Sequence, residues 1–278
     1  MRKPTSILVA LTFLNIPFLL FRAHAHGTQS SGRLHEREEI NDSFTLSPGA
    51  QVKVFSISGP VEIRTSDGNT AKVHVVRKAR NREDFARRKF IVEQTATGLS
   101  IGTEENRGQS YRDVQISDEV VLELPRRIQM TISSISGPVT SGDVVGPVQA
   151  SSISGPLTIG KVGDAVKLSS ISGPVQLESV VGHLNASSVS GNLSANIARL
   201  DERGIQLSSI SGPVELRFRD QLNAELEVTN ISGRVYLDVP NAPVQPSELT
   251  SDIKVRIGSG GSLISISSIS GPVRIVQK

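Results

Sequence analysis

The fold is decided by the stretch from Ser133 to Val175, which reads SSISGPVTSGDVVGPVQASSISGPLTIGKVGDAVKLSSISGPV. Across the 278-residue chain the string Ser-Ile-Ser-Gly-Pro occurs six times. The glycines of these copies are Gly59, Gly137, Gly155, Gly173, Gly212 and Gly271. Close variants occur at 188–191 and 230–233. A motif that recurs along a chain is typical of solenoid proteins, in which each unit packs only on its neighbours.

A shorter period lies inside this repeat. Aliphatic residues recur every nine positions at Val139, Val148, Leu157, Val166, Val175, Leu184 and Leu193. A second slot, usually apolar, follows two residues later, and a third follows five residues later at Val144, Ile153, Val162, Ile171, Val180 and Val189. Alternating apolar and polar residues indicate strands with one buried side, and Gly-Pro indicates a turn.

We therefore predict an all-β fold, a single-stranded parallel β-helix or β-solenoid. Its 18-residue coils would each contain two nine-residue units. The slot residues, including Ile171 in the third slot, are expected to point inward and to share one continuous aliphatic core.

The same slots define the expected domain organisation. The solenoid is predicted over 44–278, after a flexible segment at 26–43. It is interrupted by a charged insertion at 77–127, with strands of its own at 91–95, 99–102 and 120–124, and by a loop rich in Pro and Gly at 238–262. A separate N-terminal β domain is the alternative boundary.

Residues 1–25 have the features of an export signal. Arg2 and Lys3 precede an apolar run from Ile7 to Phe21, and Ala23-His24-Ala25 offers the small residues of a cleavage site. The alternative is a membrane anchor, but the run is shorter than the roughly 20 residues that span a bilayer. The expected location is extracytoplasmic, in the periplasm, on the cell surface or in the medium, with no transmembrane segment left after cleavage.

Composition excludes several classes of function. The chain has no Cys, which rules out disulfides, thiolate metal sites and a Cys nucleophile. Three of its 30 basic residues lie in 1–25, so the remainder carries 27 charges of each sign, and nucleic acid is not an expected partner. His74 and His183 are isolated in the sequence. We expect no catalytic residues, no metal, no cofactor and no enzyme activity.

The Ser-Ile-Ser-Gly-Pro-Val units, the export signal and the strand at 120–125 (VVLELP) resemble the bacterial putative-adhesin family. This family of exported β-solenoid proteins of unknown function is similar to the auto-transporter adhesin head domain group. The resemblance covers roughly residues 40–278. It implies a secreted or envelope-associated, non-enzymatic, right-handed β-helix, and it carries no catalytic or ligand residues to transfer.

Two columns of serine form the first candidate surface. If Ile171 points inward, its neighbours Ser170 and Ser172 point outward, and stacking repeats them along one edge. The functional interpretation is a hydroxyl face for a repetitive ligand such as a glycan. The structural alternative is that stacked Ser residues satisfy each other and the corner backbone. The columns contain Ser134, Ser136, Ser152, Ser154, Ser170, Ser172, Ser188, Ser190, Ser209, Ser211, Ser268 and Ser270.

A basic cluster forms the second candidate surface. Asn81 is expected to cap a short helix that carries Phe85 and Phe90 on its inner side. The cluster could contact an anionic envelope polymer or phospholipid headgroups, or it could simply be a solvated lid. Its members are Arg77, Lys78, Arg80, Arg82, Arg87, Arg88 and Lys89.

The sequence reaches Lys278 directly after the repeat at 267–273. Open strand edges there favour end-to-end self-association, unless Arg274, Lys278 or the 238–262 loop blunts them. The expected function is a putative adhesin or envelope scaffold whose partner is an envelope glycan or a surface protein. The alternatives are a carbohydrate-binding or polysaccharide-degrading β-helix and an accessory to envelope-stress signalling.

Overall fold

The computed structural model describes residues 34–103, 114–240, 242, 248–249 and 252–277. Within these ranges the strands form two sheets, one of twelve strands and one of eleven. The all-β prediction is confirmed, and the two sheets, rich in parallel pairs, agree with a β-solenoid. The predicted export signal at 1–25 lies outside the described residues.

The N-terminal part combines strands with one short helix, α1. Asn81 caps this helix as predicted, because its side chain accepts a hydrogen bond of 3.0 Å from the backbone N–H of Asp84. In the part of the chain described here, no helix is long and apolar enough to span a membrane. The elements are β1 (Glu36–Thr45), β2 (Gln51–Ser58), β3 (Val61–Ser66), β4 (Thr70–Ala79), α1 (Arg82–Arg87), β5 (Phe90–Gln94), β6 (Gly98–Thr103) and β7 (Ile116–Pro125).

The repeats form pairs of short strands, one in each sheet. Their bounds are β8 (Gln129–Ser136), β9 (Val139–Ser141), β10 (Val148–Ser154), β11 (Leu157–Val162), β12 (Val166–Ser172), β13 (Val175–Val181), β14 (Leu184–Ser190), β15 (Leu193–Arg199), β16 (Ile205–Ser211), β17 (Val214–Phe218), β18 (Ala224–Asn230) and β19 (Val235–Asp238). The last elements are β20 (Glu248–Leu249), β21 (Ile253–Ile257), β22 (Ser262–Ser270) and β23 (Val273–Gln277).

Equivalent slots stack directly on one another. Val148 pairs with Val166 and Val166 with Leu184 in parallel register, and all three side chains are buried. The first aliphatic slot is therefore inward, as predicted. Each unit buries its slot residues against the coils above and below, so one aliphatic core runs through residues from Leu46 to Ile275.

The N-terminal region belongs to the same stack. β6 pairs parallel with β2, and β7 pairs parallel with β3, so the predicted insertion contributes a further layer to both sheets. The three strands predicted inside it are present as β5, β6 and β7. Leu34–Lys278 is one compact unit, so the alternative of a separate N-terminal β domain is wrong.

Of the segment predicted to be flexible at 26–43, residues 36–43 are part of strand β1, and residues 26–33 lie outside the described residues. β1 pairs antiparallel with β4 along its full length, from Glu36 opposite Ala79 to Thr45 opposite Thr70. Its side chains are mostly exposed, as expected for a strand at the edge of a sheet. A strand without a buried side lacks the apolar alternation by which strands are recognised in a sequence.

The C-terminal coil is not the end of the stack. β22 pairs with both β16 and β18, and β23 pairs with both β17 and β19. The prediction of open strand edges at the last repeat is therefore wrong, because both strands of this repeat have a neighbouring strand on each side. Part of the predicted 238–262 loop is also strand, since β21 pairs antiparallel with β18 and lies at the edge of the eleven-stranded sheet.

Candidate functional site

The Ser-Ile-Ser-Gly-Pro motif forms a corner at which the chain passes from one sheet to the other. Along β12 the buried side chains are Val166, Leu168 and Ser170, so strict alternation continues up to the corner. Ile171 and Ser172 are both exposed. The corner closes at Gly173, whose φ of 126° lies in a region that L side chains rarely adopt.

The first serine column points into the molecule, which corrects the prediction of a surface ladder. Ser170 is 2% exposed, and its hydroxyl donates a hydrogen bond of 3.2 Å to the carbonyl oxygen of Gly173. Ser152 and Ser209 make the same bond to the glycines three residues ahead of them. The buried members are Ser134, Ser152, Ser170, Ser188, Ser209 and Ser268. This column is part of the corner and presents nothing to a ligand.

The corner of the β18 coil replaces this serine with Asn230. Its Nδ2 donates to the carbonyl oxygen of Gly271 at 3.1 Å, and its Oδ1 accepts from the backbone N–H of Gly233 at 2.7 Å. The amide thus satisfies two backbone groups where serine satisfies one. At Ser152, Ser170, Ser209 and Asn230 the inward polar side chain therefore bonds to the corner backbone.

The second serine column lies on the surface. Its members, Ser136, Ser154, Ser172, Ser190, Ser211 and Ser270, are exposed, which is the direction expected for them. Parallel register places Ser154 beside Ser136 on one side and beside Ser172 on the other. The hydroxyls therefore repeat at the spacing of neighbouring strands, about 4.8 Å. Their role in binding stays a prediction.

An exposed aliphatic column accompanies this serine column and was not predicted. It contains Ile135, Ile153, Ile171, Val189, Ile210, Ile269 and Ile231, with exposures from 37% to 74%. The sequence prediction shifted the phase of each strand to bury these residues, whereas the strands keep their period of two through the serine. If the alternation of inward and outward residues is counted without interruption from Val166, Ile171 falls on the outward side, and this count is the signal that could have placed it there.

The corner glycines stack too closely for any side chain. A Cβ on Gly173 would lie 2.4 Å from the carbonyl oxygen of Gly155, and one on Gly155 would lie 2.4 Å from that of Gly137. Such contacts are shorter than real Cβ atoms show. The glycines therefore hold successive corners in line, which keeps the outward Ile and Ser columns straight.

The predicted basic surface is divided by the structure. Arg77 and Arg88 are buried, and both contact the fully buried carboxylate of Asp118. Arg77 Nε lies 3.0 Å from Asp118 Oδ1, and Arg88 Nη2 lies 3.1 Å from Asp118 Oδ2. The Arg77 guanidinium also lies over the rings of Phe85 and Phe90, at 5.2 and 5.7 Å from their centroids.

Arg77 and Arg88 are therefore structural, and including them in a surface patch was wrong. Burial of two cations requires a buried counter-charge, which Asp118 supplies from a strand 30 or more residues away in sequence. The remaining members, Lys78, Arg80, Arg82, Arg87 and Lys89, are exposed. Among these, Lys78 lies 4.0 Å from Glu119. Contact of the exposed five with an anionic partner stays a prediction.

Charged side chains on the outer face of the twelve-stranded sheet form ion pairs that sequence reasoning missed. Lys72 Nζ lies 2.8 Å from Glu123 Oε2, and Arg64 Nε lies 2.7 Å from Glu62 Oε1. The hydrogen bond from Lys72 lowers the pKa of Glu123 below its ordinary value. The hydrogen bond to Glu62 raises the pKa of Arg64. Both shifts arise because the ion pairs stabilise the charged forms of the two groups.

The imidazoles lie in separate places. His74 Nδ1 is 2.6 Å from Asn41 Oδ1, and His183 Nδ1 is 2.9 Å from the carbonyl oxygen of Gly204. Among the residues described, no three His, Asp or Glu side chains converge in a way that could hold a metal ion. The expected lack of catalytic, metal and cofactor residues stays a prediction.

A family of sequences matches the repeat region. The sequence model of the Toastrack DUF4097 family matches residues 127–276, from just before β8 to β23. Among curated proteins, none is significantly similar to this chain.

Several solved structures are similar to the chain at low identity. A putative cell adhesion protein from Clostridium sporogenes ATCC 15579 is 10% identical, with 87% of this chain and 100% of that chain covered and a TM-score of 0.36. A putative adhesin from Bacteroides fragilis NCTC 9343 is 8% identical, with 86% and 97% covered and a TM-score of 0.37. One from Parabacteroides distasonis ATCC 8503 is 13% identical, with 86% and 97% covered and a TM-score of 0.32.

Proposed function

This chain belongs to the Toastrack DUF4097 family, and from its corner geometry we propose that it is an exported, non-enzymatic scaffold presenting a repetitive face for adhesion or assembly. Membership confirms the resemblance to adhesin-like proteins of unknown function noted in the sequence. The observation that carries the proposal is the pair of outward columns, one aliphatic and one of serine, which repeats along the corners.

The face formed by the outward aliphatic and serine columns resembles a binding surface more than an active site. Catalysis needs charged groups that converge on one point in a recess, held in place by neighbours. The corner columns instead offer one uncharged aliphatic side chain and one serine at each coil, along a line. A surface of this kind suits a partner that is itself repetitive, such as an envelope glycan or a surface protein with regular structure.

Export is the second part of the proposal. The basic start at Arg2 and Lys3, the apolar run and the small residues at Ala23 and Ala25 support cleavage after residue 25. The exposed Lys78, Arg80, Arg82, Arg87 and Lys89 would then face the envelope, where anionic polymers and phospholipid headgroups are abundant. A stack held by backbone pairing and an aliphatic core also suits a chain without Cys in that compartment.

The proposal includes a right-handed solenoid of 18-residue coils. The pairing of Val148 with Val166 and of Leu157 with Val175 supports the coil length for the regular repeats. The handedness follows from a general rule, because connections between parallel strands are right-handed in nearly all known cases.

Expression of the full chain with its own leader, followed by cell fractionation and mass spectrometry, tests export. We expect a chain shortened by 25 residues outside the cytoplasm. An uncleaved cytoplasmic chain would overturn this part. Incubation of the purified protein with isolated envelope polysaccharide tests the absence of catalysis. We expect sedimentation with the polymer or no effect, whereas release of new reducing ends would contradict the scaffold.

A further inference from the structure

The exposed aliphatic column is continuous. Ser134, Ser152, Ser170, Ser188, Ser209, Ser268 and Asn230 pair in parallel register, each with the next, and every aliphatic residue directly follows one of them. Seven aliphatic side chains therefore stand in line at strand spacing, over roughly 30 Å. From their exposed fractions, these side chains expose roughly 500 Å² of apolar surface in total. This area is near the upper end for one apolar patch on a monomer.

The arrangement is the inverse of ordinary burial. At each of these corners a serine, or Asn230 before Ile231, is inside and an isoleucine or valine is outside, one residue apart. At Ser152, Ser170 and Ser209 the inward hydroxyl bonds to the corner glycine, but that bond does not require an apolar neighbour. Strand preference does not require one either, because Thr is β-branched and polar and would suit the same backbone. The exposed methyl groups therefore remain without a role inside the monomer.

Most of the face around the column carries no charge, which points to the kind of partner it fits; Arg234, at the corner of Ile231, is the exception. The corners at 133–138, 151–156, 169–174, 208–213 and 267–272 contain no Lys, Arg, Asp or Glu, in a chain with 57 such residues. An anionic polymer or a lipid headgroup would find no cation there. A second copy of the chain can approach such a face without repulsion between like charges.

The regular spacing makes the face complementary to itself. If two columns run antiparallel about a two-fold axis, each aliphatic side chain of one copy meets one of the other along the full length. With the flanking columns of exposed Ser and Pro, such a contact reaches roughly the 800 Å² per partner that specific interfaces bury. Isologous contacts of this kind are the commonest in homo-oligomers.

We propose that the exposed aliphatic column is the interface through which two copies of this chain pair, antiparallel and side by side. The inference rests on the proposed function, because it names the partner of the repetitive face. Val189 is the middle member of the column, so the two-fold axis passes near it. Ile135 of one copy lies near Ile231 of the other.

Sedimentation equilibrium of the purified full chain tests the interface. The test variant carries Ile153→Lys, Ile171→Lys and Ile210→Lys, and the control carries the same charge at exposed polar positions, with Thr140→Lys, Gln149→Lys and Gln176→Lys. We expect the wild type and the control to dimerise at micromolar concentration. The test variant should dissociate at least 100-fold more readily, while circular dichroism shows its fold intact.

Single cysteines test the geometry, because the chain has none of its own. Under mild oxidation, Val189→Cys should form covalent dimers, and a mixture of Ile135→Cys with Ile231→Cys should form mixed dimers. A wild type that stays monomeric at high concentration overturns the inference, as does end-to-end assembly or binding to lipid vesicles as a monomer. An exported, non-catalytic monomer would overturn only this inference, whereas a cytoplasmic dimer would overturn only the proposed export.

Discussion

The two sheets treat the same sequence position in opposite ways. In the twelve-stranded sheet the third aliphatic slot is buried, with Val162 at 2% and Val180 at 0% exposure. In the eleven-stranded sheet the same slot is exposed, with Ile153 at 47% and Ile171 at 50%. The nine-residue units look equivalent in sequence but differ in structure.

The difference comes from a shift of phase within one sheet. Between Leu177 and Val180 the pairing register of β13 with β15 slips, and Ser179 and Val180 are both buried. An irregularity of this kind turns the following side chain to the other face. The strands of the other sheet keep their alternation, so serine takes the inward position and the aliphatic residue is left outside. A slot in a repeat is therefore inward or outward according to the backbone before it.

A charge placed in each version of the slot should show the largest difference between the two sheets. Val180→Asp buries a carboxylate among aliphatic side chains and should lower the free energy of unfolding by about 5 kcal/mol or prevent folding. Ile171→Asp exposes the same group to water and should change the free energy by less than about 1 kcal/mol. Urea denaturation followed by circular dichroism measures both, and equal losses would show that the two slots are alike.

The N-terminal layers differ from the repeats because they bury charge, with Arg77, Arg88 and Asp118, where the repeats bury apolar side chains and uncharged polar ones such as Ser170 and Asn230. Asp118→Ala leaves Arg77 and Arg88 without their shared carboxylate and should cost about 4 kcal/mol of unfolding free energy. Glu119→Ala, one residue away and exposed, is the matched control and should cost less than about 1 kcal/mol. Similar melting curves for the two variants would indicate that the buried cluster contributes little.

The corner glycines should show a smaller but clear effect. Gly173→Ala places a Cβ 2.4 Å from the carbonyl oxygen of Gly155, at a φ of 126°. We expect a loss of about 3 kcal/mol, since backbone on both sides must move. Gly68→Ala is the control, because its nearest neighbour would be 3.9 Å away. Thermal unfolding of the two variants checks the prediction, and an unaffected Gly173→Ala would mean that the corners are not tightly stacked.

Much of this architecture could be predicted from the sequence, because inward slots such as Val148, Val166 and Leu184 repeat at a constant interval. The order of stacking could not. Ile264 pairs with both Ile205 and Leu226, and these aliphatic slots are chemically alike, so nothing in them shows that the last coil lies between two earlier ones.

The candidate site was harder to predict for a different reason. Hydrophobicity favoured burying Ile171, whereas the hydrogen bond from Ser170 to the corner decided which of the two faced inward. Likewise, the run of cations from Arg77 to Lys89 resembled a solvated face, because Asp118, which neutralises two of them, lies on a distant strand.

The reversed burial of two consecutive residues, Ser170 and Ile171, underlies the corner geometry, and cysteine labelling tests it directly. The chain has no Cys, so Ser170→Cys and Ile171→Cys each introduce one thiol that a maleimide reagent can report. The structure predicts rapid labelling of Ile171→Cys in the native protein and labelling of Ser170→Cys only after denaturation. Rapid native labelling at position 170 with protection at position 171 would contradict the corner geometry and the aliphatic face built on it.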